Sequence, residues 1–249
     1  MLTVERRHEI LTRLERDGRV VASELVASLG VSEDTVRRDL RDLAGQGLLH
    51  RVHGGALPSV SSAGSFARRL DVAREEKVAL ADAALPLLDG ARVIVLDGGT
   101  TALELARRLP PTYGGTVVTN APPVASALAG HPKAEVILVG GKLLKEAQVT
   151  VGAATIEALH TVRADVCVLG ICSLHPDVGV TTPDSEEAHV KRAMVACSGT
   201  VIALATADKL RTASAWVVAQ LNDVDHLVTD GGHELTLPYS TAGINVVTV

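Results

Sequence analysis

Val36, Leu40 and Leu43 recur at helical spacing on one stripe, while Asp34, Arg38 and Arg41 fall nearly opposite and Arg37 flanks them. The pattern predicts a short helix packed on one side and offered outward on the other. Ser32 is suited to cap its start, and Glu33 and Asp34 suit the positive end of the helix dipole. Upstream, Ser23 to Leu29 reads as another short helix ended by Gly30. Helix, glycine turn and capped helix together have helix-turn-helix spacing. Val4, Ile10, Leu11 and Leu14 mark a supporting helix over Val4 to Arg16, stopped by Gly18, and Arg19 to Val21 reads as a short strand. After Gly45-Gln46-Gly47, the run from Leu48 to Ala56 alternates apolar and basic residues and ends in a double glycine, as a small β-wing does.

Periodicity breaks over Leu57 to Ser65, a stretch of small and polar residues with linker composition. The predicted organisation is a winged helix-turn-helix domain over 1–57, a linker over 58–74 and an α/β domain over 75–249. In the last, strands are nearly continuous apolar runs, which favours a mostly parallel sheet covered on both faces. They are predicted at Arg92–Asp97, Thr116–Asn120, Glu135–Gly140, Asp165–Gly170, Thr200–Ala205, His226–Thr229 and Asn245–Val249. Helices are predicted between them at Glu75–Leu88 with a bend at Pro86, Thr101–Leu109, Pro122–Ala129, Ala153–Thr161, Ser185–Ala196 and Ala213–Leu221.

Composition narrows the function. With 249 residues and 47% hydrophobic content the chain fills a real core, which excludes disorder. The net charge of -5 argues at first against nucleic acid, because phosphate neutralisation needs Lys and Arg. Residues 1–57 hold nine Arg, no Lys and nine acidic residues, so that part is neutral and a local patch must carry any DNA contact. Aromatic content of 2% leaves few stacking platforms for single strands. Three cysteines without zinc-like spacing, a charged amino terminus and no long apolar run predict a soluble, cytoplasmic chain with no membrane partner.

In helix-turn-helix geometry the second helix enters the major groove, so Arg37, Arg38 and Arg41 are candidates for base edges or phosphates. The wing would set His50, Arg51 and His53 beside the backbone. A solvated helix face with ordinary Asp/Arg pairing is the competing reading of the three helix arginines. In an open α/β sheet ligands bind outside the carboxyl ends of strands. There Asp97-Gly98-Gly99-Thr100-Thr101 leads from a strand into a helix, as an anion cradle would. A tight turn needing its glycines for geometry alone is the alternative. The run is neither a Walker loop nor a dinucleotide fingerprint. Thr119-Asn120, Gly140-Gly141-Lys142, Gly179 to Asp184 and Ala207-Asp208-Lys209 follow later strands and bring polar groups or a cation toward the same mouth. Lys209 could hold a phosphate as a point charge. Glu187 and Lys191 are four apart and read first as a helical ion pair.

The amino-terminal residues Arg6, Ile10, Leu14, Ser32, Thr35 to Leu40, Gly47-Leu48-Leu49 and Arg51 to Ala56 resemble the DNA-binding domain of the DeoR family of bacterial transcriptional repressors. The resemblance continues from about Arg74 to Asp230, through Glu76-Lys77, Leu96 to Thr101, Val117 to Asn120, Val136 to Gly141, Gly152, Thr181 to Asp184, Glu187, Lys191-Arg192, Asp208-Lys209 and Leu227 to Asp230. It implies operator binding through the helix beginning near Ser32, with Thr35, Arg37 and Arg38 as contacts. It also implies a sensor domain similar in fold to sugar-phosphate isomerases, with effector contacts at Asp97 through Thr101, Asn120, Gly141, Asp184, Lys191 and Lys209. The chain departs from the family where an Ala-Asp-Gly-like run gives way to Gly170 to His175, and where the usual aromatic after the sensing lysine is Leu210.

The expected function is therefore a repressor of carbohydrate genes. A phosphorylated sugar or related intermediate would release it from double-stranded operator DNA; it would act as a homo-oligomer, dimer or tetramer, with no cofactor. A sugar-phosphate isomerase carrying a DNA-binding domain is the rival reading, and Asp97 or Asp184 would then have to act as base. Sensing needs binding alone, which favours the regulator. A metal set of Cys172, His175, Asp177 and His189 matches no zinc spacing.

Overall fold

The computed structural model describes residues 2–58 and 64–249. The linker predicted at Leu57 to Ser65 lies largely outside the described residues. The amino-terminal module comprises α1 (Thr3–Asp17), β1 (Val20–Val21), α2 (Ala22–Leu29), α3 (Glu33–Gly45), β2 (Leu49–Val52) and β3 (Gly55–Pro58). Its antiparallel sheet has the order β1-β3-β2, with Val20 opposite Ala56 and Ala56 opposite Arg51. This is a winged helix. Ile10, Leu14, Leu25, Val36, Leu40, Leu43 and Leu49 close one core, each contributing about 1.5–3 kcal/mol on burial. The predicted stripe of α3 is the face that packs inward.

One residue on that inward side is polar. Asp39 is only 1% exposed and accepts hydrogen bonds from Arg6 Nε at 2.5 Å and Arg7 Nε at 2.9 Å. Arg7 reaches Asp42 as well. Two arginines of α1 thus clamp α3 against the module core, a burial that costs too much for an unpaired carboxylate.

The second region runs α4 (Phe66–Arg69), α5 (Arg74–Ala84), a 3-10 turn (Leu85–Leu88), β4 (Val93–Leu96), α6 (Thr100–Arg108), β5 (Thr116–Thr119), α7 (Pro122–Leu128), β6 (Glu135–Leu138), β7 (Lys142–Leu144), β8 (Val149–Val151), α8 (Ala153–His160) and β9 (Ala164–Gly170). It continues with β10 (Ser173–His175), β11 (Gly179–Thr182), α9 (Ser185–Ala196), β12 (Ser198–Leu204), a 3-10 turn (Ala207–Lys209), β13 (Trp216–Ala219), a 3-10 turn (Leu221–Asp223), β14 (His226–Thr229), α10 (His233–Thr241) and β15 (Asn245–Thr248).

Seven parallel strands form the main sheet in the order β15-β14-β12-β9-β4-β5-β6. From β4 the chain first builds outward through β5 and β6, then returns to the other side of β4 and builds through β9, β12, β14 and β15. The reversal lies between β4 and β9, so the crevice of an open α/β sheet is expected at their carboxyl ends. All seven predicted parallel strands are present. A smaller antiparallel sheet, β10-β11-β13, and the hairpin β7-β8 are additions to that frame.

Two local expectations are corrected. Ala213 to Leu221 does not form a helix: its centre, Trp216 to Ala219, is β13, with Trp216 opposite Thr182 on β11. Trp216, Val217 and Val218 favour a pleated surface, and pairing decides the state over the apolar spacing. Gly179 to Thr182, expected as a mouth loop, is instead the buried strand β11.

Candidate functional site

Ser32 caps α3 as its position predicted: its Oγ accepts from the Thr35 amide at 3.3 Å and lies 2.9 Å from Thr35 Oγ1. This fixes the amino end of α3 at the module surface. Arg37, Arg38 and Arg41 are exposed on its outer side. Arg37 holds Glu33 of its own helix at 2.6 Å, whereas Arg38 and Arg41 have no ion-pair partner among the described residues. Arg51 and His53 are exposed on the wing; His50 is half-buried, and burial lowers the pKa of its imidazole. Most other arginines here serve the fold or a neighbour. Arg6 and Arg7 hold Asp39, Arg13 holds Glu9, Arg16 holds Asp17 and Arg19 holds Asp177.

At the sheet reversal, Asp97 follows β4 and Gly170 ends β9. Asp97 is 1% exposed; its Oδ2 accepts the Gly170 amide at 3.0 Å and is paired with Lys191 of α9. Lys191 also donates to the Gly170 carbonyl at 3.0 Å and lies 3.3 Å from Glu187. Burial works against the Lys191 ammonium, but Asp97 and Glu187 outweigh it and raise its pKa above the ordinary lysine range. The i,i+4 pair read from the sequence exists, and Lys191 also joins the ends of β4 and β9 through Asp97 and Gly170. Lys191 is thereby a neutralised, fixed cation at the floor.

Beside this floor, Gly98 and Gly99 lead into α6. A Cβ at Gly98 would come within 2.2 Å of Val149 Cγ1, so only glycine lets the β7-β8 hairpin close over the turn. Gly99 has φ +113, and the amides of Thr100 and Thr101 begin α6 without protein acceptors among the described residues. Their partial positive charge at a helix start suits an anion. Asn120, 1% exposed after β5, donates from Nδ2 to the Thr150 carbonyl at 2.8 Å and leaves Oδ1 without a partner.

Further cations gather near Lys191. Lys209 has no ion-pair partner among the described residues, and burial holds its pKa below the ordinary lysine value. Its charge is felt by Lys77, which burial together with Lys209 and Arg69 pushes down to about 8. Lys77 donates to the carbonyls of Arg69 and Val72, pinning the end of α4. Arg69 carries a buried Nε without a hydrogen-bond acceptor. Arg69 and Lys77 are missing from the sequence-derived site. Both precede β4, so only the tertiary fold brings them to Lys209.

Two predicted contacts have other work in the structure. Asp184 caps α9, accepting the Glu187 amide at 2.9 Å. Gly141 sits where a Cβ would meet Thr155 Oγ1 at 2.1 Å, a close approach between the strand ends and α8. No group of three or more His, Cys, Asp or Glu side chains is placed to hold a metal among the described residues. The opposite, amino-terminal end of the strands has a cavity of about 460 Å³ lined by Arg92, Tyr113, Arg163 and Asp165, without such a cluster of unpaired buried groups.

A winged helix joined to an α/β domain with a mostly parallel sheet defines a two-domain DNA-binding regulator. Residues 6–61 match the DeoR-like helix-turn-helix domain, and residues 72–231 match the DeoR C-terminal sensor domain. The chain belongs to the DeoR family of transcriptional regulators. It is 37% identical over 236 residues to the HTH-type transcriptional regulator GlpR of Haloferax volcanii, covering 93% of this chain and 91% of that one. It is 37% identical over 233 residues to the HTH-type transcriptional repressor GlcR of Bacillus subtilis, covering 92% and 89%. Identity to the glycerol-3-phosphate regulon repressor of Haemophilus influenzae is 30% over 225 residues, covering 90% and 88%. A solved D-ribose-5-phosphate isomerase in complex with phospho-erythronic acid aligns with a TM-score of 0.40 at 18% identity, over 55% of this chain and 53% of that one. No helix among the described residues is long and apolar enough to cross a membrane.

Proposed function

We propose that this regulator represses carbohydrate genes by holding operator DNA with α3 and the wing, and that a phosphorylated sugar or related metabolite bound at the sheet reversal releases it. Thr35, Arg37, Arg38 and Arg41 read or clasp the major groove from α3, whose cap is Ser32, while Arg51 and His53 lie along the backbone. A homo-oligomer places two recognition helices on half-sites about one helical turn or a multiple apart. The observation that carries the effector reading is the set of cations gathered near Lys191 at the sheet reversal. Lys209, Lys77 and Arg69 form no ion pair with a carboxylate among the described residues, and Lys209 lies close enough to Lys191, which holds Asp97, for their charges to be felt. Such unpaired, partly buried positive charge is costly alone and is relieved by an anion. Relatives named as repressors, one of them for a glycerol-3-phosphate regulon, support the same ligand chemistry and sign.

The test is a thermal-shift series on the purified chain with sugar phosphates and their unphosphorylated parents. A ligand at a hundred times its Kd adds about 2.7 kcal/mol, which this assay resolves. Stabilisation by phosphorylated members alone is the expected result. Equal stabilisation by the parents, or by none of them, refutes the assignment.

A further inference from the structure

We infer that the turn Leu210–Ser214 is a latch between the two domains, transmitting the state of the effector crevice to the winged helix; this rests on the effector reading above. The turn begins at the residue after Lys209 and is tied to it, because Thr212 Oγ1 donates to the Lys209 carbonyl at 2.6 Å. Leu210 is buried and bridges to Leu174. The Arg211 amide donates to Tyr239 Oη at 2.9 Å, and that hydroxyl donates to the Leu174 carbonyl at 2.8 Å. Ser214 is held by Thr181 Oγ1 at 2.9 Å and by Ser173 Oγ at 2.6 Å. The turn is therefore tied along its length to Lys209 and to the small antiparallel sheet.

Its outer side grips the DNA-binding module. The Ala213 amide donates to the Pro58 carbonyl, the last residue of wing strand β3, at 3.1 Å. Arg211 adopts φ +57, a conformation that a residue with a β-carbon keeps only when its surroundings impose it. Its guanidinium donates to the Glu234 carbonyl at 2.6 Å. Its methylenes lie over Gly18 at the end of α1, where a Cβ would sit 3.6 Å from Arg211 Cδ. Beside Gly18, Arg19 meets Asp177 at 3.3 Å, on the turn that joins β10 to β11.

The far end of the connector is fixed in the same way. The Phe66 amide donates to the Glu146 carbonyl at 2.7 Å, in the β7-β8 hairpin whose Val149 covers Gly98. The segment joining the domains is thus held at both described ends, by the turn after Lys209 and by the hairpin that covers Gly98. An anion that draws Lys209 toward the start of α6 must pull on Thr212, and with it on the seat of Pro58 and Gly18. Coupling then needs no path through the sheet, only a turn with two occupied positions.

The test pairs wild type with the double variant Arg211→Gly, Asp177→Ala. Glycine suits φ +57, so the sensor domain keeps its fold while the grip on Gly18 and Arg19 is lost. In the ligand-free full chain, hydrogen exchange at the Ala213 amide is expected to quicken by on the order of tenfold or more; an unchanged rate overturns the latch. In the second arm, a panel of hexose, pentose and glycerol monophosphates is screened by thermal shift, and the compound that most stabilises wild type is carried into operator titrations. Wild type should change operator affinity by about 5- to 150-fold on adding it. The double variant should keep the thermal shift and lose most of that change. A retained thermal shift with a full operator response overturns the latch. If no compound stabilises wild type, the effector reading fails, and the exchange measurement alone decides the latch.

Discussion

Asp39→Asn tests whether the module is held together by the clamp between α1 and α3. Asp39 is 1% and Arg6 8% exposed, and the carboxylate accepts from both Arg6 and Arg7. Asparagine keeps the shape but leaves the Arg6 charge buried against a neutral amide. Breaking a buried pair by removing one partner costs about 3–5 kcal/mol. The lower end applies, because Arg7 is 26% exposed and keeps Asp42. A loss of about 3 kcal/mol in a module of this size lowers its Tm by about 12–24 °C. Circular dichroism and hydrogen exchange on α1 and α3 in the full chain would follow it. Burial pushes the Asp39 carboxyl up, but Arg6 and Arg7 win and hold it below the ordinary 3.8. A depressed carboxylate stabilises the fold above the unfolded value and loses that contribution as pH falls through the folded one. Wild type should therefore lose stability below about pH 4 by a step that Asp39→Asn lacks. A change below about 1 kcal/mol, the scale of a surface pair, would refute the clamp.

Three other outcomes are open to direct measurement. Arg38→Ala should weaken operator binding by about 1–3 kcal/mol in a fluorescence-anisotropy titration and leave effector binding unchanged. Lys209→Ala should do the reverse, with effector affinity falling by about 1.5–3 kcal/mol by calorimetry; equal losses in both assays for either variant contradict the division of labour. Effector affinity should fall as pH rises through about 8, where Lys77 loses its proton, since an anion favours the charged form. A flat profile from pH 7 to pH 9 would remove Lys77 from the site.

The main sheet was legible because parallel strands buried on both faces read as apolar runs, from Val93 to Leu96 and from Val166 to Leu169. The capped recognition helix was equally plain at Ser32. Trp216 to Ala219 was not, since its partner strand lies more than thirty residues away and pairing alone distinguishes it from a helix. Asp39 reads as one more surface charge until Arg6 and Arg7 are seen folded onto it. Arg69 and Lys77 fail for a similar reason: beside Arg68 and after Glu75-Glu76 they read as ordinary surface charges, and only the tertiary fold brings them near Lys209.

The pairing of the module's arginines has a consequence for ionic strength. Of the nine in residues 1–57, six already hold a carboxylate, which leaves Arg38, Arg41 and Arg51 unengaged among the described residues. Each phosphate neutralised adds about 0.9 to the slope of log affinity against log salt. Three per subunit, and so six over two half-sites, set the slope at about −5, so affinity should fall by about a thousandfold between about 50 and 200 mM salt. Its sparing use of free positive charge also leaves little to hold it on random sequence.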